Sequence, residues 1–406
     1  MTTYRIDRLG HQGDGIAQGP IYAPGCLPGE EVTGTLDGQV LRDIRIITPS
    51  DDRVKPPCPH AKSCGGCQLQ HASDDFVAAW KRQVVETALR AQGIDATVTG
   101  PLTSPARSRR RAAISARRTK KGALAGFHMK GSDVVVSVPN CQLVHPNLAA
   151  ALPMVEALAI LGASRKGELS VLVTLSEAGL DVDVSGGKPL ESALQSQLAE
   201  LAREYDLARV GWDGETALTR RPAIRHFGPV AITPPSRAFL QATAEGEAAL
   251  RDAVMDLTEG AKHVVDLFAG CGTFALPLST RARVHAVEGD AAMVRALDQA
   301  WRMGDGLRHV THAARDLYRN PLLPDELNRF DAAVIDPPRA GADSQIAALA
   351  DSKVPVIAYV SCNPVTFARD AACLIRAGFD IGTVTVVDQF RWSTHVELIA
   401  GFSRSF

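Results

Sequence analysis

The sequence has no excess of charge, no membrane-length apolar run and no internal repeat. Lys and Arg number 44 against 45 Asp and Glu, a formal net charge of -1. Nothing therefore draws the whole chain toward nucleic acid or an anionic membrane, and any basic surface must be local. The uninterrupted apolar stretches, residues 354–360 with a proline inside among them, are far short of the ~20 residues that cross a bilayer. The opening MTTYRIDRLGHQGDG has no apolar core behind its charges, unlike a secretory leader. The expectation is a cytoplasmic protein with no membrane association. With 406 residues, 45% of them apolar and 22% charged, the composition is that of a compact globular protein. At roughly 100–200 residues per domain it predicts two or three domains.

The pattern changes twice along the chain. Residues 1–48 hold short β-type runs broken by glycine and proline, which predicts a small barrel. Charges and prolines over 48–57 read as a linker. A helix is expected over 74–92, with Ser73 as its N-cap, and residues 49–235 as a whole read as a mixed α+β unit with a hairpin in LSVLVTLSEAGLDVDVSG. From 236 to 406, strand candidates HVVDLF, RVHAVE, HVTHA, DAAVID and VPVIAYVS alternate with helix-compatible segments, and TVTVVD and HVELIAG follow. That order predicts an α/β, Rossmann-like, doubly wound sheet. Of eight cysteines, Cys58, Cys64 and Cys67 crowd into ten residues and point to metal, and a distant Cys141 can complete a set of four. The spacing suits structural zinc and an iron-sulfur cluster equally.

The strand HVVDLF runs into Ala269, Gly270, Cys271, Gly272 and Thr273, and the next strand ends at Glu288. Glycines there let backbone approach an adenosine-bearing ligand, and the carboxylate can accept both ribose hydroxyls. The loop also satisfies G-x-G-x-x-A through Ala275, so by itself it does not separate S-adenosylmethionine from NAD. Two later strands end in Asp336-Pro-Pro-Arg339 and Ser361-Cys362-Asn363-Pro364, at the edge where open α/β sheets bind ligands. A dehydrogenase has no need of a cysteine there.

At this point the sequence closely resembles the RNA uracil-C5 (5-methyluridine) methyltransferase family, through FLQAT, DLFAGCG, VEGD, DPPRAG, YVSCNPVTFARD and DQFRWSTHVELIAG, in the family's order across 236–406. The resemblance implies a class I, S-adenosylmethionine-dependent methyltransferase with Cys362 as nucleophile and Glu397 as base. It implies Gln241, Phe268, Gly270, Gly272, Thr273, Glu288 and, more weakly matched, Asp316 at the cofactor, with Asp336 between cofactor and base pocket. RLGHQGDGIA...PGEEV is similar to a TRAM domain, an RNA-binding barrel. The cysteine order, with Cys141, resembles the 4Fe-4S ligands of the family's 23S ribosomal-RNA branch. The sequence departs from the family pattern at Ala269, Cys271, Thr243 (commonly Asn) and Arg391 (frequently Pro).

The chemistry accounts for the residue types. C5 of uracil is a poor nucleophile until a thiolate adds to C6, and cysteine carries a few per cent thiolate near neutral pH. After methyl transfer, a carboxylate must remove the C5 proton before the sulfur can leave. The base must also leave its stack. Arg107, Arg109, Arg110, Arg111, Arg117, Arg118, Lys120 and Lys121, with no acid among them, form a run suited to RNA phosphates. The reading is therefore a monomeric 23S rRNA uridine methyltransferase. The alternatives are the same chemistry on tRNA and, from another class, an iron-sulfur RNA-binding module with an inactive methylase half. An NAD oxidoreductase leaves SCNP and the basic run unexplained.

Overall fold

The computed structural model describes residues 2–404. Strands Thr3–Leu9, Asp14–Ala17, Ile21–Pro24, Glu31–Asp37 and Val40–Thr48 close into a barrel, the first pairing antiparallel with both the second and the fourth. Ile6, Ala23, Val32 and Leu41 fill it. The segment after it, read as a linker, is fastened down. Arg53 donates from Nη2 to Glu30 Oε2 at 2.8 Å and to Gly25 O at 2.7 Å, so the buried Glu30 keeps a counter-charge.

A seven-stranded sheet forms the middle of the molecule, in the order Glu215–Thr219, Leu207–Trp212, Gly179–Ser185, Glu168–Ser176, Arg111–Thr119, Gly122–His128 and Val135–Val136. The expected hairpin is there, pairing Ser170 with Ser185 through Ser176 with Gly179. Helices Leu152–Gly162 and Ser192–Glu204 pack their apolar stripes against this sheet around Val171, Val173, Val182 and Val210.

The C-terminal sheet has eight strands, in the order Val310–Ala314, Arg283–Glu288, His263–Leu267, Ala332–Ile335, Val356–Ser361, Glu397–Ser403, Asp380–Asp388 and Val98–Thr103. The first five run parallel, and Glu397–Ser403 is antiparallel to both its neighbours. The central strands are buried on both faces, as their near-continuous apolar sequences require. One grouping differs from the sequence reading. Strand Val98–Thr103, expected in the middle unit, pairs parallel with Asp380–Asp388. The helix Asp74–Ala91, capped by Ser73 as expected, packs on helix Pro364–Arg376, and its Val85 and Leu89 lie in the C-terminal core. The amphipathic stripe of that helix and the open edge of the sheet find cover in each other. Among the described residues, no helix is long and apolar enough to cross a membrane.

Candidate active site

A cleft of about 570 Å³ opens at the carboxyl ends of the parallel strands. Its cofactor-like end is built from main chain. His263–Leu267 stops at Phe268, which takes φ 60°, and Gly270 and Gly272 follow at 56° and 94°. Glycine takes such φ without strain, and at Gly272 a Cβ would also stand 2.9 Å from Leu297. The turn delivers Gly270 N–H to Glu288 Oε2 at 2.9 Å, while Asp290 N–H donates to Oε1 at 2.9 Å. Glu288 is thus oriented before any ligand arrives. Phe268 stands 5.5 Å from the Tyr318 ring, and Asp316 accepts the Tyr318 N–H at 3.0 Å. Phe268, Gly270, Thr273, Glu288 and Asp316 line the cleft, whereas Gly272 lies behind it.

The other end is built from buried side chains. Cys362 follows strand Val356–Ser361, at the mouth of helix Pro364–Arg376, whose N-cap Asn363 accepts Val365 N–H and donates to Arg339 O at 2.9 Å. That bond ties the SCNP turn to the DPPR turn. Glu397 begins the strand whose antiparallel register sets Leu398 opposite Ser361, so a base-type carboxyl and a thiol from distant sequence face one cavity together with Asp336. Burial raises the Glu397 carboxyl to about 7, opposed by the hydrogen bond from Gln389, and holds Asp336 well above the usual carboxylate range, helped by Glu397 and Asp266. Burial, with Glu397 and Asp336 next, pushes the Cys362 thiol up to about 11, while Arg339 opposes the shift. The sequence reading granted this thiol an ordinary thiolate fraction. Burial and, after it, the two carboxyls in the same pocket shift that balance toward the thiol, with Arg339 opposing.

Gln241 does not line the cleft. It is buried behind the carboxyls, donating to Asp336 Oδ2 at 3.5 Å and accepting from Gln389 Nε2 at 2.6 Å. The sequence reading missed Gln389, and also Phe239, Tyr318, Phe390 and His395, which line the cleft. Strand-end motifs could have pointed to Phe390 and His395, which lie within DQFRWSTHVE. Lys81, fully buried, donates to Asp388 Oδ1 at 2.7 Å and to Phe390 O at 3.2 Å, fixing the entry to that segment. The two sequence departures are accommodated. Thr243 caps helix Ala244–Leu257 as an Asn would, and Arg391 donates to Asp74 Oδ2 at 2.6 Å.

The basic run divides. Arg107, Arg117, Arg118, Lys120 and Lys121 are exposed, although Arg117 is paired with Glu168 at 2.5 Å. Arg109, Arg110 and Arg111 turn inward. Arg110 pairs with the buried Glu247 and donates to Gln241 O at 3.3 Å, and Arg111 donates to Arg237 O at 3.1 Å.

Among the described residues, no three His, Cys, Asp or Glu side chains stand in the arrangement of a metal ion's ligands. The four cysteines nevertheless interact. Burial first, then Cys141, Cys64 and Cys58, push the Cys67 thiol up to about 12, and Cys64 is raised by burial and by Cys141 and Cys58. Gly66 and Leu143 N–H groups each donate to a cysteine sulfur at 3.4 Å. Four free thiols, Cys58 and Cys141 buried and Cys64 and Cys67 half-buried, have the chemistry of thiophilic-metal ligands. Gly65 N–H donates to His128 O, joining this loop to the hairpin Arg111–His128.

The order of the C-terminal strands, with a glycine turn and an acidic strand end over the cleft, defines a class I, S-adenosylmethionine-dependent methyltransferase fold. The chain belongs to the RNA uracil-5 methyltransferase family. Residues 304–402 match the tRNA (Uracil-5-)-methyltransferase family model. An uncharacterized RNA methyltransferase of Rhizobium meliloti is 44% identical over 98% of both chains. The 23S rRNA (uracil(1939)-C(5))-methyltransferase RlmD of an Azoarcus species is 34% identical over the full length of both. The fold matches the Pyrococcus abyssi tRNA (uracil-54, C5)-methyltransferase, solved with S-adenosyl-L-homocysteine, at a TM-score of 0.77 and 21% identity, over 98% of this chain and 99% of that one.

Proposed function

We propose that the protein methylates C5 of a uridine in 23S ribosomal RNA through a covalent cysteine adduct. The observation that carries this reading is the antiparallel register that brings Glu397 into one cleft with Cys362 and Asp336. Phe268 and Glu288 would hold S-adenosylmethionine, which would supply an electrophilic methyl group to C5 and leave as S-adenosylhomocysteine. Cys362 Sγ adds to C6 of a flipped uracil, which raises electron density at C5. Glu397 then takes the C5 proton, the C5–C6 double bond re-forms and the Cys362 thiolate leaves. Asp336, between the two, holds the base. The exposed residues Arg107, Arg117, Arg118, Lys120 and Lys121 track phosphates, and the barrel of residues 3–48 serves as a TRAM-like RNA-binding module. Cys58, Cys64, Cys67 and Cys141 hold a 4Fe-4S cluster that fastens their loop to the middle sheet, and the protein acts as a cytoplasmic monomer.

The 23S assignment is supported by the Azoarcus relative and by the four cysteines. The name of the family model favours a second reading, tRNA as substrate. Transcripts of both RNAs containing 5-fluorouridine decide the matter, because fluorine cannot leave as a proton. With S-adenosylmethionine, the 23S transcript is expected to form an adduct that survives denaturing electrophoresis and maps to Cys362, and Cys362→Ala to form none. Trapping of tRNA alone transfers the substrate to the second reading. Absence of any adduct, with methylation intact, removes the covalent mechanism.

A further inference from the structure

The structure fixes the direction of one buried amide, and that direction has a consequence for the reaction. Gln389 Oε1 accepts the Ala242 N–H at 2.9 Å and the Thr243 N–H at 3.5 Å. Backbone nitrogens only donate, so the oxygen must face them and the NH₂ group must face the other way. Its two hydrogens go to Glu397 Oε2 at 2.7 Å and Gln241 Oε1 at 2.6 Å. Gln241 is thereby oriented in turn, with its own NH₂ toward Asp336 Oδ2. One amide, anchored on main chain, thus sets the rotamer of the base and, through a second amide, braces the carboxyl beside it. Space for it is reserved from the other side, since a Cβ on Gly246 would stand 2.5 Å from Gln389 Cγ. The amide is almost fully buried, so no water competes for these bonds.

We propose that Gln389 is the positioning residue of the proton-abstraction step. By occupying Glu397 Oε2, it leaves Oε1 to receive the C5 proton and favours the ionised carboxylate against the effect of burial. This rests on the covalent reading above, in which the proton passes from C5 to Glu397, the C5–H electron pair forms the C5–C6 double bond, and the C6–S bond breaks to return the Cys362 thiolate. The charged and titratable groups that share the cleft with Glu397 are Asp336 at the end of Ala332–Ile335, with Asp266 behind it, Arg339 beyond it, Cys362 after Val356–Ser361, and His395 just before the Glu397 strand. Gln389 is the hydrogen-bond donor set against them.

The test separates two steps in single turnover with S-adenosylmethionine and a 23S transcript. Methyl incorporation is counted on the RNA, and release is followed as loss of the denaturation-resistant adduct. For Gln389→Met, which keeps the volume and loses the amide, incorporation should stay within about threefold of wild type while release slows by about tenfold to a hundredfold. Because the missing donor favours the ionised base, the pH midpoint of release should also move upward. Gln389→Glu keeps the acceptor for Ala242 and Thr243 but loses both donors, and should show the same split. Gly246→Ala, which crowds the amide without removing it, should shift release in the same direction and carries the test if the Gln389 variants fold poorly. Release at the wild-type rate and midpoint, or equal loss of both steps with unchanged midpoint, would overturn the proposal. Glu397→Gln is the control. If it accumulates no methylated adduct, the underlying covalent reading fails, whatever Gln389 does.

Discussion

The two ends of the cleft are held by different means. Around Glu288 the framework is main chain, with a turn in left-handed φ and two N–H groups on one carboxylate. Around Glu397 it is a chain of buried side chains, Gln389, Gln241 and Asp336, drawn from segments far apart in sequence. A main-chain cradle depends on few side chains, so most substitutions near it should be local in effect. A satisfied buried polar network has no spare partners, and losing one strands the rest.

Arg110→Ala should break this contrast most severely. It removes the hydrogen-bonded counter-charge of Glu247 and a bond to the Gln241 carbonyl, leaving the buried carboxylate with only the less direct attraction of Arg225. The expected loss is about 3–5 kcal/mol of unfolding free energy in urea. A loss under 1 kcal/mol would mean that the base end is not built on this pair. Glu288→Ala tests the other end. If, as proposed, this carboxylate accepts the ribose hydroxyls, at ~1.5–3 kcal/mol per charged hydrogen bond, its loss should weaken S-adenosylmethionine at least about tenfold in calorimetry. RNA affinity should be untouched, and a parallel loss of RNA binding would erase the distinction between the ends. The smallest effect is expected outside the cleft. Neutralising Arg118, Lys120 and Lys121 together should lower the salt slope of RNA binding by about two, given ~0.7–0.9 per phosphate contact, with stability unchanged. An unaltered slope would return those side chains to a merely solvated face.

Much of the C-terminal half is legible in the sequence because its determinants are local. The apolar strands, the glycines at 270 and 272 and the motifs closing on Asp336, Cys362 and Glu397 all declare themselves within a few residues. What stays hidden depends on partners that local pattern does not encode. The run at 109–111 reads as a surface for phosphate, yet Arg110 meets Glu247, 137 positions away. The strand Val98–Thr103 carries no signal of which sheet edge it will extend. Gln389 sits inside a quoted motif, but its role emerges only when the backbone of Ala242 and Thr243 fixes its direction. The upward push on the Cys362 thiol is hidden for a related reason, since a motif does not state how deeply a sulfur will be buried or which carboxyls will face it.

The ion pair between Lys81 and Asp388 spans 307 positions. During synthesis the helix Asp74–Ala91 is made long before its counter-charge, and burying a lone ammonium costs several kcal/mol. That helix therefore gains the buried partner of Lys81 only once Asp388 has been made. A product shortened before Asp388 is left with an exposed, unsettled helix and a bare sheet edge, both ready targets for proteolysis. Burial of the Lys81 ammonium and docking of the Asp380–Asp388 strand are thereby a single event.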